Sequence, residues 1–158
     1  MTDYRNPDFV NTISAAVKTY LEDYLEGRNV EVNVGYPNFT DKLPLAKAHI
    51  SVTPDGNIGC SPFGFDDPTK LVVGYTIDVW TSRGTSTNPS KSGGEIGLNR
   101  ISAMIVAAFE VDQEGLFDLY EGIEDISYRG TYTRRITSQD QLDLFQSSGE
   151  LQITITSE

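Results

Sequence analysis

Two segments of the chain repeat apolar residues every three or four positions, the spacing that places them on one side of an α-helix. The first covers about residues 9–25, with Asn6 and Pro7 as start signals and Gly27 as a stop signal. The second covers about residues 93–111. The apolar stripes are Phe9, Ile13, Val17, Tyr20, Leu21, Tyr24 and Leu25 in the first, and Ile101, Ile105, Ala108 and Phe109 in the second. The sequence therefore predicts two amphipathic helices.

Strict alternation of apolar and polar residues predicts strands elsewhere. The predicted strands lie at about residues 30–36, 46–53, 71–82, 126–136 and 150–156, with a short separate segment at 140–145. In the second strand, Ile50 and Val52 share one face, and His49 and Ser51 share the other. In the third strand, Trp80 lies on the face opposite the main apolar stripe.

Two connections are long. Residues 54–70 begin with a Pro-Asp-Gly turn signal and are predicted to form a long loop or an open hairpin. Residues 83–92 form a second, polar loop. The order of helix, three strands, helix and two strands predicts an α+β fold. We expect one domain over residues 1–158, with a mainly antiparallel sheet of about five strands and two amphipathic helices packed on one face.

The charge balance excludes several classes of partner. The chain has 158 residues, with 12 Lys+Arg against 23 Asp+Glu and a formal charge of −11. Such a chain does not neutralise phosphates, so binding to nucleic acid or to an anionic membrane is not expected. The only cysteine, Cys60, cannot form an internal disulfide. With no apolar core of a signal peptide in MTDYRNPDF, this predicts an intracellular origin.

The stretch SKSGGEIG resembles a phosphate-binding loop only superficially. A Walker motif requires lysine after the last glycine, whereas Lys91 precedes Gly93 and Gly94. Ser92 and Glu95 have the spacing of a capping box, which starts a helix.

The chain offers no constellation of catalytic or metal-binding residues. His49 is the only histidine, and with one cysteine the sequence contains neither a zinc motif nor a cysteine–histidine pair. His49 is predicted to be a surface residue on the polar face of its strand. We expect no catalytic, metal or cofactor site.

Acidic residues concentrate in one segment, residues 110–125, which contains no lysine or arginine. Its acids after Glu110 are Asp112, Glu114, Asp118, Glu121, Glu124 and Asp125, and the spacing does not match a calcium loop. The ordinary interpretation is a solvated face, and the sharper one is a surface that repels nucleic acid.

Three aromatic residues are candidates for an interface. Trp80 lies opposite the helix-facing stripe, and Phe63 and Phe65 lie in the predicted loop. They either contact a partner or are buried when the loop folds back within one subunit.

The succession of these segments resembles the tail terminator proteins of long-tailed bacteriophages. The segments are the helix NPDFVNTISAAVKTYLEDYL, the strand LVVGYTIDVW, the helix LNRISAMIVAAF and the late strands YRGTYTRRI and ELQITIT. The resemblance spans nearly the whole chain in order and length, and the family has no diagnostic short motif.

The resemblance implies a structural protein without catalysis, metal or cofactor. It implies a homo-oligomeric ring, usually a hexamer, that contacts the tail tube protein and a head–tail connector protein. Such a ring belongs to the tail and neck of the virion and is assembled in the cytoplasm of a bacterial host. DNA passes through the ring, and the acids listed above would line its lumen. Arg83 and Lys91, in the polar loop, would contact a neighbouring subunit.

Three alternatives remain at this stage. Other head–tail connector or neck proteins share much of the fold. A small acidic enzyme or ligand-binding domain would place a carboxylate pocket between the sheet and residues 54–70. A regulatory protein-binding module would differ from the ring protein in lacking self-association.

Overall fold

The structure is a computed structural model that describes residues 8–35, 47–60, 70–82, 94–137 and 143–156. In chain order, its elements are α1 (Phe9–Tyr24), β1 (Val30–Val34), β2 (Ala48–Cys60), β3 (Lys70–Ser82), α2 (Gly94–Glu110), α3 (Glu114–Leu119), β4 (Ile123–Thr137) and β5 (Asp143–Thr156).

The five strands form one sheet in the order β1-β2-β3-β5-β4. β1 pairs with β2 in parallel, and the other three pairings are antiparallel. A parallel pairing requires a long connection, which residues 35–47 provide. The predicted α+β fold with a mainly antiparallel five-stranded sheet is confirmed.

The helices pack on one face of this sheet. Alternate residues of the three central strands, including Ile50, Val52, Ile77 and Ile153, are fully buried beneath them. The helices contribute Ile13, Val17, Leu21 and Leu25 from α1, and Leu98, Ile101, Ile105 and Phe109 from α2. Burying each such side chain stabilises the fold by about 1.5–3 kcal/mol. We call this the covered face, and the opposite face, on which no described helix packs, the helix-free face.

Of the two alternatives predicted for residues 54–70, the first part of the segment agrees with the open hairpin and not with the loop. β2 continues to Cys60 and still pairs with β3, with Ile58 opposite Val73. The register shifts between Pro54 and Ile58, which marks a bulge in β2. A bulge accommodates extra residues within a strand, so the turn signal Pro-Asp-Gly bends β2 without ending it. Residues 61–69 lie outside the described part of the chain.

Two further boundaries differ from the predictions. α3 is a third helix that the sequence reasoning did not anticipate, and its Leu116 is fully buried. Six residues are too few to show a helical period. The predicted separate segment at 140–145 is also corrected, since β5 begins at Asp143 and pairs with β3 along its length.

Candidate functional site

The acidic segment is held against α1 by a buried tyrosine. The Tyr20 hydroxyl lies 2.5 Å from the carbonyl oxygen of Ala108 and 2.5 Å from that of Asp112, and it donates its one proton between them. Carbonyls at the end of a helix have no partner within the helix, so Tyr20 satisfies the end of α2. Burial raises the pKa of Tyr20 to about 12.

A glycine allows α3 to approach this tyrosine closely. A Cβ atom at Gly115 would lie 2.9 Å from Cε2 of Tyr20, closer than carbon atoms pack. α3 therefore lies directly on the aromatic ring, and the turn between α2 and α3 is positioned by contacts with α1.

An open groove of about 400 Å³ lies between α1 and α3, and we call it the α1–α3 groove. Its lining consists of Tyr20, Asp23, Tyr24, Asp112, Gly115, Asp118 and Leu119. Leu119 is 44% exposed there. The Tyr24 hydroxyl donates a hydrogen bond of 2.6 Å to Oδ2 of Asp112, and this bond raises the pKa of Tyr24. The groove thus combines aromatic and aliphatic walls with three carboxylates.

All six predicted lumen acids are exposed. They lie in α3, in the residues next to it and at the start of β4, and they are Asp112, Glu114, Asp118, Glu121, Glu124 and Asp125. The structure brings Asp112 and Asp118 together at the α1–α3 groove, where Asp23 of α1 joins them. Glu124 accepts a hydrogen bond of 3.0 Å from the Thr156 hydroxyl at the end of β5. Their exposure agrees with a solvated face, and a lumen position stays a prediction.

A polar network occupies the helix-free face. Asp78 is only 5% exposed, and its Oδ1 accepts hydrogen bonds from the Ser148 hydroxyl and, at 3.1 Å, from Nε2 of Gln146. Ser51 lies opposite Asp78 in the register. The buried hydroxyls of Ser51 and Thr53 have no hydrogen-bond partner within the described residues.

The prediction that His49 is a surface residue is wrong. His49 is 5% exposed, and its Nδ1 lies 3.4 Å from Oε2 of Glu31. The cause is the position of β2 inside the sheet, because Glu31 of β1 and Trp80 of β3 flank His49 in the same cross-strand row. Alternation places His49 correctly on the face away from the helices, but it does not reveal these neighbours.

The aromatic interface candidates are only partly described. Trp80 lies on the helix-free face, as its strand position predicts, and is half-buried between His49 and Gln146. Phe63, Phe65, Arg83 and Lys91 lie outside the described residues, as does Ser92 of the predicted capping box. A partner contact at Trp80 stays a prediction.

The structure adds residues that sequence reasoning missed. Tyr20 and Tyr24 were assigned only to the apolar stripe of α1, and Asp23 was assigned no role. The available signal was a pair of tyrosines spaced by four residues, because a tyrosine packed in an apolar stripe must still find a partner for its hydroxyl. Asp78, the only acidic residue in β3, is a similar signal for the polar network.

Within the described ranges, no group of three or more His, Cys, Asp or Glu side chains is arranged to hold a metal ion. None of the helices in that part of the chain is long and apolar enough to cross a membrane.

Comparison with known proteins identifies no family. No protein-family model matches the chain, and no curated protein matches it in sequence. Among the solved structures that match the chain, one whose name states no function has 18% sequence identity and a TM-score of 0.48. The match covers 94% of this chain and 98% of the other. At this level of similarity the match supports no inference about function.

Proposed function

We propose that the protein is a structural subunit of a ring that terminates a phage tail tube and joins it to the head. The observation that carries this proposal is the acidic surface around α3, where all six acids between Asp112 and Asp125 are exposed and no lysine or arginine interrupts them. The proposal also rests on the resemblance in segment order to tail terminator proteins, and the α+β fold is compatible with it.

Electrostatics explains why such a surface suits a DNA conduit. A protein that holds DNA places lysine and arginine against the phosphates and releases counterions. A lumen lined by carboxylates instead repels phosphates over about 8 Å at physiological ionic strength. DNA then passes without being retained, which agrees with the formal charge of −11.

Exposed apolar side chains support an assembled state. Val111, just before α3, is 74% exposed, and Leu119, the last residue of α3, is 44% exposed. On α2, Ile96 is 61% exposed and Val106 is 41% exposed. Single exposed apolar residues are ordinary, but several on two adjacent helices provide area that a neighbouring protein can bury.

In this role the protein acts through contacts alone, without catalysis, metal or cofactor. Its partners are further copies of itself, a tail tube protein and a head–tail connector protein. A hexamer is the stoichiometry that the resemblance implies, and the virion neck is the implied location.

Self-assembly of the purified chain tests the proposal. Sedimentation velocity over a thousandfold range of concentration should show a discrete oligomer, and negative-stain electron microscopy should show rings with a central hole. Duplex DNA should not bind at 50 mM salt. A strict monomer at every concentration, or tight binding to DNA, would contradict the proposal.

The α1–α3 groove favours one alternative, a ligand-binding domain. Asp23, Asp112 and Asp118 converge on it, as a carboxylate pocket requires. However, the groove lies between two helices and not between the sheet and residues 54–70, and Asp112 is already engaged by Tyr24. A small cationic ligand that binds the monomer with micromolar affinity would favour this alternative.

A further inference from the structure

We infer that the α1–α3 groove is a docking site for a basic, partly apolar segment of a different protein, whose arginine or lysine side chain lies beside Tyr24, Asp112 and Asp118. This inference rests on the proposed function, in which the subunit also contacts a tail tube protein and a head–tail connector protein. It names the surface and the chemistry of one such contact. It follows from the size of the groove, its charge, its order and the apolar side chains next to it.

The groove has the size of a binding site and is open to solvent. Its volume of about 400 Å³ falls within the range of roughly 300–1,000 Å³ that is typical of ligand sites. Two helices form its walls, and the close approach of Gly115 to the Tyr20 ring determines the distance between them. Because the groove is already open, a partner can insert side chains between α1 and α3.

The groove is negatively charged and contains no counterion among its described lining residues. Asp23, Asp112 and Asp118 contribute carboxylates, and no lysine or arginine belongs to this lining. The only cation of α1, Lys18, lies 3.9 Å from Glu22 of the same helix. Neighbouring carboxylates repel one another, so an occupant that brings positive charge relieves this repulsion. The groove is therefore complementary to a cationic partner.

The arrangement of the carboxylates favours an extended cation over a metal ion. In the part of the chain that the structure describes, no three His, Cys, Asp or Glu side chains are grouped to hold a metal ion. The carboxylates of the groove are instead distributed over α1, the turn between α2 and α3, and α3 itself. A guanidinium presents five N–H donors on a flat group that also stacks on aromatic rings. An arginine side chain therefore matches both the carboxylates and the aromatic wall that Tyr24 provides.

Part of the groove is ordered before a partner arrives. The Tyr24 hydroxyl donates a hydrogen bond of 2.6 Å to Oδ2 of Asp112. The Tyr20 hydroxyl lies 2.5 Å from the backbone carbonyl oxygen of the same aspartate. Binding then costs less conformational entropy, because these groups are already held in place.

Exposed apolar side chains next to the acids favour a protein segment over a small polyamine. Val111 is 74% exposed and directly precedes Asp112, and Leu119 is 44% exposed and directly follows Asp118. A protein segment that carries an apolar side chain beside its cation can bury these two residues. A linear polyamine has no apolar branch that would cover them.

A second copy of the chain is a poor match for the groove. Each copy has a formal charge of −11, so three carboxylates repel its surface as a whole. Its Arg129 is exposed, but it lies opposite Glu150 in the sheet, which offsets its charge. A different protein with a basic surface meets the charge requirement without this repulsion. The contacts of the proposed ring are therefore expected elsewhere, such as at the exposed apolar residues of α2.

This assignment divides the acids around α3 into two groups. Asp112 and Asp118 belong to the docking site, together with Asp23. The acids that remain as candidates for the lumen are Glu114, Glu121, Glu124 and Asp125. Neutralising acids of the first group should weaken docking, and neutralising acids of the second group should leave it unchanged.

Binding of designed peptides to the full chain tests the docking site. The probe is a fluorescently labelled amphipathic peptide that presents leucine and arginine on one side of a helix. One control peptide carries glutamine in place of each arginine, and another carries serine in place of each leucine. Fluorescence anisotropy at physiological ionic strength should show at least about tenfold tighter binding of the leucine–arginine peptide, because it alone matches both the charge and the apolar walls. No binding of this peptide, or equal binding of either control, would overturn the inference.

Neutral substitutions in the groove show where the peptide binds. Asp23→Asn with Asp118→Asn should weaken binding of the leucine–arginine peptide at least about tenfold. The matched control is Glu114→Gln with Asp125→Asn, which removes the same charge from exposed acids that do not line the groove. This control should change the affinity less than about twofold. An equal loss in both variants would mean that the acidic chain attracts the peptide nonspecifically, and the inference would fail.

The apolar wall and the choice of a protein partner are tested in the same assay. Leu119→Ala should weaken binding of the peptide at least about threefold, whereas Ile96→Ala, at an exposed position of α2, should not change it. Circular dichroism and thermal melting should show that every variant is folded. Equal effects of the two substitutions would contradict the docking site. Displacement of the peptide by an equal concentration of spermidine would show that the groove binds a small polyamine instead.

Self-assembly is measured separately on the same proteins. In sedimentation velocity, Asp23→Asn with Asp118→Asn should assemble like the wild type, since the groove receives a different protein. Loss of assembly in this variant would identify a second copy as the occupant, which would overturn the inference and leave the proposed ring standing. A wild type that binds the peptide but never assembles would overturn the proposed function and leave the docking site standing.

Discussion

The two faces of the sheet bury their residues to a similar depth, but different interactions stabilise the buried side chains on each face. On the covered face, Ile77 and Ile153 are fully buried among other apolar side chains. On the helix-free face, Ser51 and Asp78 are 1% and 5% exposed, yet they are polar. Burial of apolar area stabilises the first face, whereas the second depends on completing its hydrogen bonds. Equal burial therefore does not imply an equal contribution to stability.

The largest effect is expected where a helix side chain fills the covered face. Phe109 is fully buried and lies against the rings of Tyr20 and Tyr128, with ring centres 5.9 and 5.3 Å apart. Phe109→Ala should lower the free energy of unfolding by about 3–5 kcal/mol, because it leaves a cavity. Urea unfolding measures this loss. Val106→Ala, on the exposed side of the same helix, is the control and should cost less than about 1 kcal/mol. Similar losses for both would contradict the assigned core.

The next effect concerns the polar network of the helix-free face. Asp78→Ala removes the carboxylate oxygen that accepts hydrogen bonds from the Ser148 hydroxyl and from Nε2 of Gln146. Both donors then lose this acceptor. We expect a loss of about 1–3 kcal/mol in urea unfolding. Asp125→Ala, at an exposed position of β4, should stay within about 0.5 kcal/mol of the wild type. If Asp78→Ala lowers the free energy of unfolding as little as Asp125→Ala does, the network does not stabilise the fold.

A polar group within the covered face gives a smaller effect with a pH signature. Tyr20→Phe removes the hydrogen bond to the end of α2 and should cost about 1 kcal/mol at pH 7. Because the pKa of Tyr20 is raised from 10.0 to about 12, the folded chain holds this proton more tightly than the unfolded chain. The resulting stability is complete below pH 10 and is lost as the pH rises to 12.

The pH dependence provides the check on that assignment. Urea unfolding at pH 7, 10 and 11.5 should show a smaller loss of stability with rising pH in Tyr20→Phe than in the wild type. Tyr128, whose pKa burial also raises to about 12, is present in both proteins, so both should still lose some stability at high pH. Identical pH profiles in the two proteins would show that Tyr20 does not contribute to the alkaline loss.

The predictability of the two faces from sequence also differs. The covered face was predictable because helical and strand periodicities identify the residues that share a side, as in α1 and β3. The burial of His49 was not predictable, because it depends on Glu31 and Trp80, which come from distant parts of the chain. Periodicity assigns residues to a face, and the sheet order determines how many neighbours they have.

At the candidate site, too, local sequence predicts exposure but not contacts between distant parts of the chain. The exposure of the acids between Asp112 and Asp125 followed from their local composition. The α1–α3 groove did not, because it requires Tyr20 to reach the end of α2 almost ninety residues later. α3 itself is stabilised by contacts such as Leu116 in the core and not by its own six residues, since short helices are marginal in isolation.

The smallest expected effect distinguishes two serines on the helix-free face. Ser148 donates to Asp78, whereas the Ser51 hydroxyl is buried without a hydrogen-bond partner in the described part of the chain. Ser148→Ala should therefore cost about 1 kcal/mol, but Ser51→Ala should be neutral or slightly stabilising, because it removes a polar group whose burial is uncompensated. Urea unfolding of both variants under the same conditions measures the difference. A loss at Ser51 equal to that at Ser148 would mean that Ser51 also has a partner, and that hydrogen bonding on this face is more complete than the geometry indicates.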